Sequence, residues 1–198
     1  MKTPFDVLKR HPVIENQVFE LFFDDIMSSN GMLIERYLSV IPKKRNDSLF
    51  GGTGVLPIQF ESDIPQSVGL IRVYRHPIGK WGYEIPRGFV ETGETINEAA
   101  LREFEEETGI SLASVNLEYV MSFCPEPGVI GAQVGLFFAI VDLASSMQNH
   151  PPEKELGHDG LEWIEWSQID QWISDNRIFD AGTLLALLQL KIRTEATR

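Results

Sequence analysis

Hydrophobic positions along the chain fall into short runs rich in β-branched and aromatic residues, divided by polar or glycine-containing turns. NQVFELFFDDI and MLIERYLSVI are two such runs separated by SSNG, and Asn30-Gly31 is a strong hairpin signal. The polar stretch KKRNDS then leads into GGTGVLPIQF, a further strand after a glycine-rich entry. Val68 to Tyr74 predicts a strand, Tyr83 to Pro86 a short one, and LEYVMSF, VGLFFAIV and LEWIEW three more. Two helices close the chain. Ser167 is placed to cap QIDQWISDN, and Asp180 to cap AGTLLALLQLKI, whose leucines recur at helical spacing. Strands outnumber helices, which predicts an α+β sandwich. Residues 1–48 form an appended β segment and residues 49–198 the main domain. Two strands alone are marginal in water, so the segment must dock on its own domain or on a second subunit.

The most informative stretch runs from Gly88 to Ile110, GFVETGETINEAALREFEEETGI. Thr95-Ile-Asn-Glu98 is a capping box that starts a helix at Ile96, and Gly109 is suited to end it in the left-handed conformation. At 3.6 residues per turn, Glu103 and Glu107 lie about 40° apart around the axis, with Glu106 about 60° to the other side of Glu103. Acids near a helix C-terminus oppose the macrodipole, and like charges one turn apart repel. Two carboxylates 4 Å apart repel by roughly 4 kcal/mol at an effective dielectric near 20. A solvated acidic face is the plain alternative, but repeated violations of a local rule mark a functional site. Hard oxygen ligands gathered on one face are what Mg²⁺ or Mn²⁺ requires.

Composition narrows the function classes. Apolar content of 43% with 10% aromatics is that of an ordinary globular protein. A formal charge of -12 argues against a nucleic-acid binder that neutralises phosphates, although a bound cation can reverse the local sign for a small anionic ligand. The single cysteine, Cys124, excludes an intrachain disulfide, fits a reducing cytoplasmic compartment, and reads as a small buried hydrophobe. The N-terminal MKTPFDVLKRHP has no apolar core of a signal sequence, and the longest apolar run, LFFAIV, is too short to span a bilayer. No membrane partner is expected.

Gly88, five residues, Glu94, seven residues and then REFEEETGI from Arg102 to Ile110 resembles the Nudix box at every defined position. The resemblance implies a mixed sheet sandwiched between helices, with the box as loop–helix–loop. It implies hydrolysis of a nucleoside diphosphate linked to another group. Carried over residue by residue, Glu103, Glu106 and Glu107 become metal ligands for Mg²⁺ or Mn²⁺ and catalytic residues. Arg102 orients them, Glu94 braces the loop, and the backbone carbonyl of Arg87 is a further ligand.

The flanks are similar to the branch of the family that cleaves ADP-ribose and nucleoside diphosphate sugars. The carriers are Val73-Tyr-Arg-His-Pro, then Tyr83-Glu-Ile-Pro-Arg-Gly, Pro125 within CPEPG, and the closing DAGTLLALL. Arg87 departs from that pattern, where alanine is usual, and Gln133 lies near a usually acidic position; Arg87 is expected to alter contacts around the phosphates. Arg75 is a candidate for phosphate or ribose, against the reading of a surface arginine. Glu84 either contacts the nucleotide or serves a structural pairing. Arg72 is expected in solvent or in a salt bridge. The general base comes either from the box or from the loop HPPEKELGHDG, where Glu155 is favoured over Glu153 and Asp159. His150 and His158 are candidate metal ligands, against the plainer reading of loop histidines that are neither ligand nor base, and Trp163, Trp166 and Trp172 read as core or interface. The implied assembly is a homodimer. Other readings are a Nudix hydrolase of dinucleotides or nucleoside triphosphates, and a non-catalytic sensor with the same fold.

Overall fold

The computed structural model describes residues 3–43, 50–110, 117–142 and 157–196. Strands β1 (Phe5–Glu15), β2 (Phe19–Ser28) and β3 (Leu33–Pro42) form a three-stranded antiparallel sheet in the order β1-β2-β3. The β2–β3 hairpin is the one marked by Asn30-Gly31, with Gly31 at φ 85°. Strand β1 was not legible from composition. Pro12 interrupts its pattern, and the register slips between Pro12 and Ile14, which an edge strand tolerates because one of its sides makes no ladder bonds.

The main sheet has seven strands. Its path is β10 (His158–Glu165), β5 (Ile64–Arg75), β4 (Phe50–Glu61), β9 (Gln133–Ile140) and β8 (Leu117–Phe123); β6 (Lys80–Glu84) pairs with β5 and β7 (Arg87–Phe89) with β4. Strands β4 and β9 are parallel and the other pairs antiparallel, so the sheet is mixed. The β4–β5 hairpin turns at Ser62 and Asp63, both at positive φ, as its twist requires.

Both faces are covered. Leu56, Ile58, Val68 and Leu70 pack on one face with Ala186, Leu187 and Leu190 of α3 (Ala181–Ala196) and Ile169 of α2 (Ile169–Ser174). Val55, Phe137 and Ala139 pack on the other with Ala100 and Phe104 of α1 (Ile96–Thr108). The sandwich inferred from the strand-rich pattern is therefore present. Trp163 joins the α1-side core, while Trp166 and Trp172 pack at the other.

Three local expectations change. Ser167 does not cap the penultimate helix: a 3-10 turn over Trp166–Gln168 leads into α2 without a side-chain cap bond. The last strand starts at His158 rather than Leu161, because Gly160 at φ 91° and a register slip between His158 and Leu161 conceal its periodicity. Cys124 is exposed rather than buried. Asp180 does cap α3, accepting from the Thr183 N–H at 2.8 Å.

The N-terminal sheet touches the main domain at its third strand. The Val40 N–H donates to Val129 O at 2.8 Å, and Gly131 N–H returns a bond to Val40 O at 3.0 Å. Phe19 meets Phe89 edge to face, with ring centroids 5.9 Å apart. No helix among the described residues is long and apolar enough to cross a membrane.

Candidate active site

The capping box forms as predicted: Thr95 accepts from the Glu98 N–H, and Glu98 accepts from the Thr95 N–H at 2.9 Å. Gly109 ends α1 at φ 72°, its N–H bonded to Glu105 O. Both ends of the acidic helix are thus set by local sequence, and its position by Ala100 and Phe104 in the core.

Arg102 holds the acidic face in place. Its Nε and Nη2 grip both oxygens of Glu94 at 2.9 and 3.0 Å, while Nη1 donates to Glu103 at 2.7 Å and Glu106 at 3.0 Å. The Glu94 pairing first, then Glu103, raises the guanidinium pKa further above its ordinary value. Nη2 also donates to the carbonyl of Phe89 at 2.9 Å, and Glu94 accepts from the Glu91 N–H, so one residue ties strand, loop and helix together.

Glu103 and Glu107 line a cavity of about 500 Å³. Glu107 is buried, at 8% exposure, and accepts from the backbone N–H of Arg87 at 2.7 Å. Its other oxygen lies 3.5 Å from Nδ1 of His158. Glu103 rests against the backbone of β7: a Cβ added at Gly88 would fall 1.9 Å from its carboxyl carbon. Glu106 is not among the cavity residues and stays with Arg102.

Arg75 and Arg87 occupy the same cavity. Glu84, only 2% exposed, takes a two-pronged pair from Arg75 and a second contact from Arg87 at 2.7 Å. That pairing raises the pKa of Arg75. Arg87 also donates to Asp180 at 3.0 Å, whose second oxygen caps α3, and the Thr183 hydroxyl accepts from the Ile85 N–H. Glu84 thus makes the structural pairing that was one of its two readings.

Arg72 makes the salt bridge that was one of its two expectations, at 2.6 Å to Asp159. Asp159 lies on β10 rather than in a loop. Pro125 and Gln133 both line the cavity. Glu153, Glu155 and His150 lie outside the described residues. His158, read from sequence as a loop residue, instead opens β10 and stands beside Glu107 in the cavity. The periodicity of β10, traced back through its bulge, is the sequence signal for that placement. Phe19 and Pro42 are further cavity residues, brought in from the N-terminal sheet.

Hard carboxylate oxygens in a cavity that also holds two guanidiniums suit a divalent cation chemically, and Gly88 leaves room that any side chain would fill. As placed, no three acidic, histidine or cysteine side chains among the described residues converge on one point.

A NUDIX domain profile matches residues 52–184, about two thirds of the chain. The chain belongs to the Nudix family. It is 28% identical over 191 residues to the methanol dehydrogenase activator of Bacillus methanolicus, covering 94% of this chain and 92% of the relative. It is 26% identical over 198 residues to the ADP-ribose pyrophosphatase of Bacillus subtilis (strain 168), covering 96% of each. A crystal structure of an ADP compounds hydrolase superposes with a TM-score of 0.71 at 19% identity, over 98% of this chain and 96% of that one, a likeness of fold. The Nudix box, the mixed sheet and the helical layers on both faces now stand together.

Proposed function

We propose that this Nudix pyrophosphatase hydrolyses the diphosphate bond of ADP-ribose or a related nucleoside diphosphate sugar, releasing a nucleoside monophosphate and a sugar phosphate. One observation carries the reading: Glu103 and Glu107 share a cavity with Arg75 and Arg87. A diphosphate ester needs its oxygens neutralised and a nucleophile delivered in line, and that combination of side chains serves both needs.

Glu103, Glu106, Glu107 and the carbonyl of Arg87 would hold Mg²⁺ or Mn²⁺. When bound, the cation supplies charge neutralisation at the phosphate oxygens and a more acidic water. The chain does the rest. Arg102 sets the rotamers of Glu103 and Glu106, and the Arg87 N–H sets that of Glu107. Arg75 and Arg87 bind phosphate or ribose oxygens, pre-positioned by Glu84, so their ordering is complete before substrate arrives. Glu155 is the proposed general base, which leaves Asp159 to its pairing with Arg72.

The proposed assembly is a homodimer of a cytoplasmic enzyme. Support comes from the N-terminal sheet, where Phe5, Val7, Leu8, Ile14, Leu33 and Ile34 are all more than two-fifths exposed. Many exposed apolar side chains on one small sheet support an interface, and a second copy of the same sheet is the occupant proposed.

Incubation with a panel of ADP-ribose, nucleoside diphosphate sugars, dinucleotides and nucleoside triphosphates, with and without Mg²⁺, tests the reading. Nucleoside monophosphate formed from ADP-ribose or a sugar nucleotide only with metal is the expected result. Preferred cleavage of dinucleotides or triphosphates would reassign the substrate, and binding without turnover would make the chain a sensor.

A further inference from the structure

Thr53 lines the cavity from β4 and is buried, at 1% exposure. Among the described residues its Oγ1 is one of two buried side-chain polar atoms with no hydrogen-bond partner. The other, Gln59 Nε2, belongs to an amide already held by the Ser67 hydroxyl and is not among the cavity residues. The remaining buried threonines are engaged. Thr108 donates to Phe104 O, and Thr183 accepts from the Ile85 N–H and donates to Asp180. A buried hydroxyl without a partner destabilises a fold, so one that stands in a functional cavity calls for an explanation.

Its surroundings supply one. The alternation of β4 puts Thr53 on the face of Val55, which α1 covers. Its neighbours across the sheet are both glycines, Gly88 of β7 and Gly135 of β9, so the hydroxyl stands in a notch with no flanking side chain. A Cβ at Gly135 would meet Phe137 and Ile96, an apolar wall. At Gly88 it would meet the carboxyl carbon of Glu103 at 1.9 Å. Opposed residues of an antiparallel pair carry Cβ atoms about 4.5–5.5 Å apart on one face, which puts that carboxylate within about 7.5 Å of Thr53 Cβ. Arg102 already holds Glu103 Oε1 from the helix.

We propose that Thr53 is a positioning residue whose hydroxyl donates to the Glu103 carboxylate, directly or through one buried water, and so fixes that acid from the sheet side. A carboxylate restrained from two sides keeps a single rotamer, as a group working on a diphosphate must. The catalytic consequence rests on the hydrolase reading above; the contact itself does not.

The test is a double-mutant cycle of Thr53→Val, which keeps the shape and removes the hydroxyl, with Glu103→Ala, read by urea denaturation of the intact protein. Thr53→Val is expected to lower the midpoint in the wild-type background and to leave it unchanged in the Glu103→Ala background. In steady-state kinetics with ADP-ribose and sugar nucleotides, Thr53→Val should lower kcat about tenfold with KM nearly unchanged, the scale on which loss of an outer partner acts. Thr53→Ser, which keeps the hydroxyl, should behave as wild type. A midpoint raised by Thr53→Val, or shifted equally in both backgrounds, overturns the contact. A coupled midpoint with unchanged kcat overturns the positioning role. Wild type inactive on every substrate overturns the hydrolase reading, while the cycle still decides the contact.

Discussion

The carboxylate of Glu103 sits directly against Gly88: a Cβ built on that glycine would lie 2.0 Å from Glu103 Oε2. The first and the central residues of the box are thus in contact, and the glycine exists to admit the acid. Gly88→Ala must push Glu103 out of the cavity. The far end of a glutamate moves easily, so the melting temperature should change by only a few degrees. Turnover should fall about 100-fold, the effect of misplacing a group by about an ångström. Unchanged turnover would show that Glu103 need not stand where it does.

Glu84 presents the opposite balance. Removing it leaves Arg75 and Arg87 without the carboxylate that holds both. Breaking a buried pair costs about 3–5 kcal/mol. Both guanidiniums keep roughly a third of their surface in water, at 34% and 36%, which screens the loss. Glu84→Ala should therefore destabilise by about 2–3 kcal/mol in urea denaturation and raise KM for the diphosphate. A variant as stable as wild type would mean that the two arginines need no anchor.

Acid should loosen the N-terminal sheet first. Arg10, with help from Ser39, hydrogen-bonds Asp24 and holds its carboxyl below the usual range, against the opposing effect of burial. A depressed folded-state pKa contributes stability that is present above the unfolded value of about 4. It is lost as pH falls through the lowered folded value. Asp24→Asn should flatten this part of the pH dependence in thermal melts between neutral pH and pH 3. A slope equal to that of wild type would remove Asp24 from the account.

The homodimer is checked by light scattering. The full chain should run as a dimer, and a chain lacking residues 1–48 as a monomer. Because Phe19 and Pro42 line the cavity, the truncation should also lower kcat/KM by roughly tenfold or more, equivalent to about 1.4 kcal/mol of transition-state binding. A monomeric full chain would leave the apolar sheet without its proposed occupant.

Glu155→Gln should lower kcat by about 100-fold or more, as expected for a lost general base, with KM nearly unchanged. Glu153→Gln should behave as wild type. Equal and near-normal rates for both would move the base into the box, with Glu106 as the first candidate.

The acidic helix was legible residue by residue because every signal for it is local. Thr95 and Glu98 cap each other three residues apart, Gly109 supplies the left-handed end, and the turn of the helix puts Glu103 and Glu107 on one side. The strands β4 and β9 were equally clear from their apolar runs. Their parallel pairing was not, since no local pattern records which distant run a strand will meet. Strand β1 escaped because Pro12 and mixed polarity hide an edge strand.

Sequence alone determined that the chain carries a capped acidic helix of the Nudix type within an α+β fold, since capping, periodicity and spacing are properties of neighbours along the backbone. Tertiary structure decided what each charge faces. Glu84 became an anchor for Arg75 and Arg87, Arg87 joined Asp180 from 93 residues away, and His158 came to stand beside Glu107. Those pairings are set by the packing of both layers on a twisted sheet, where a single bulge, such as the one before Leu161, changes which side chains meet.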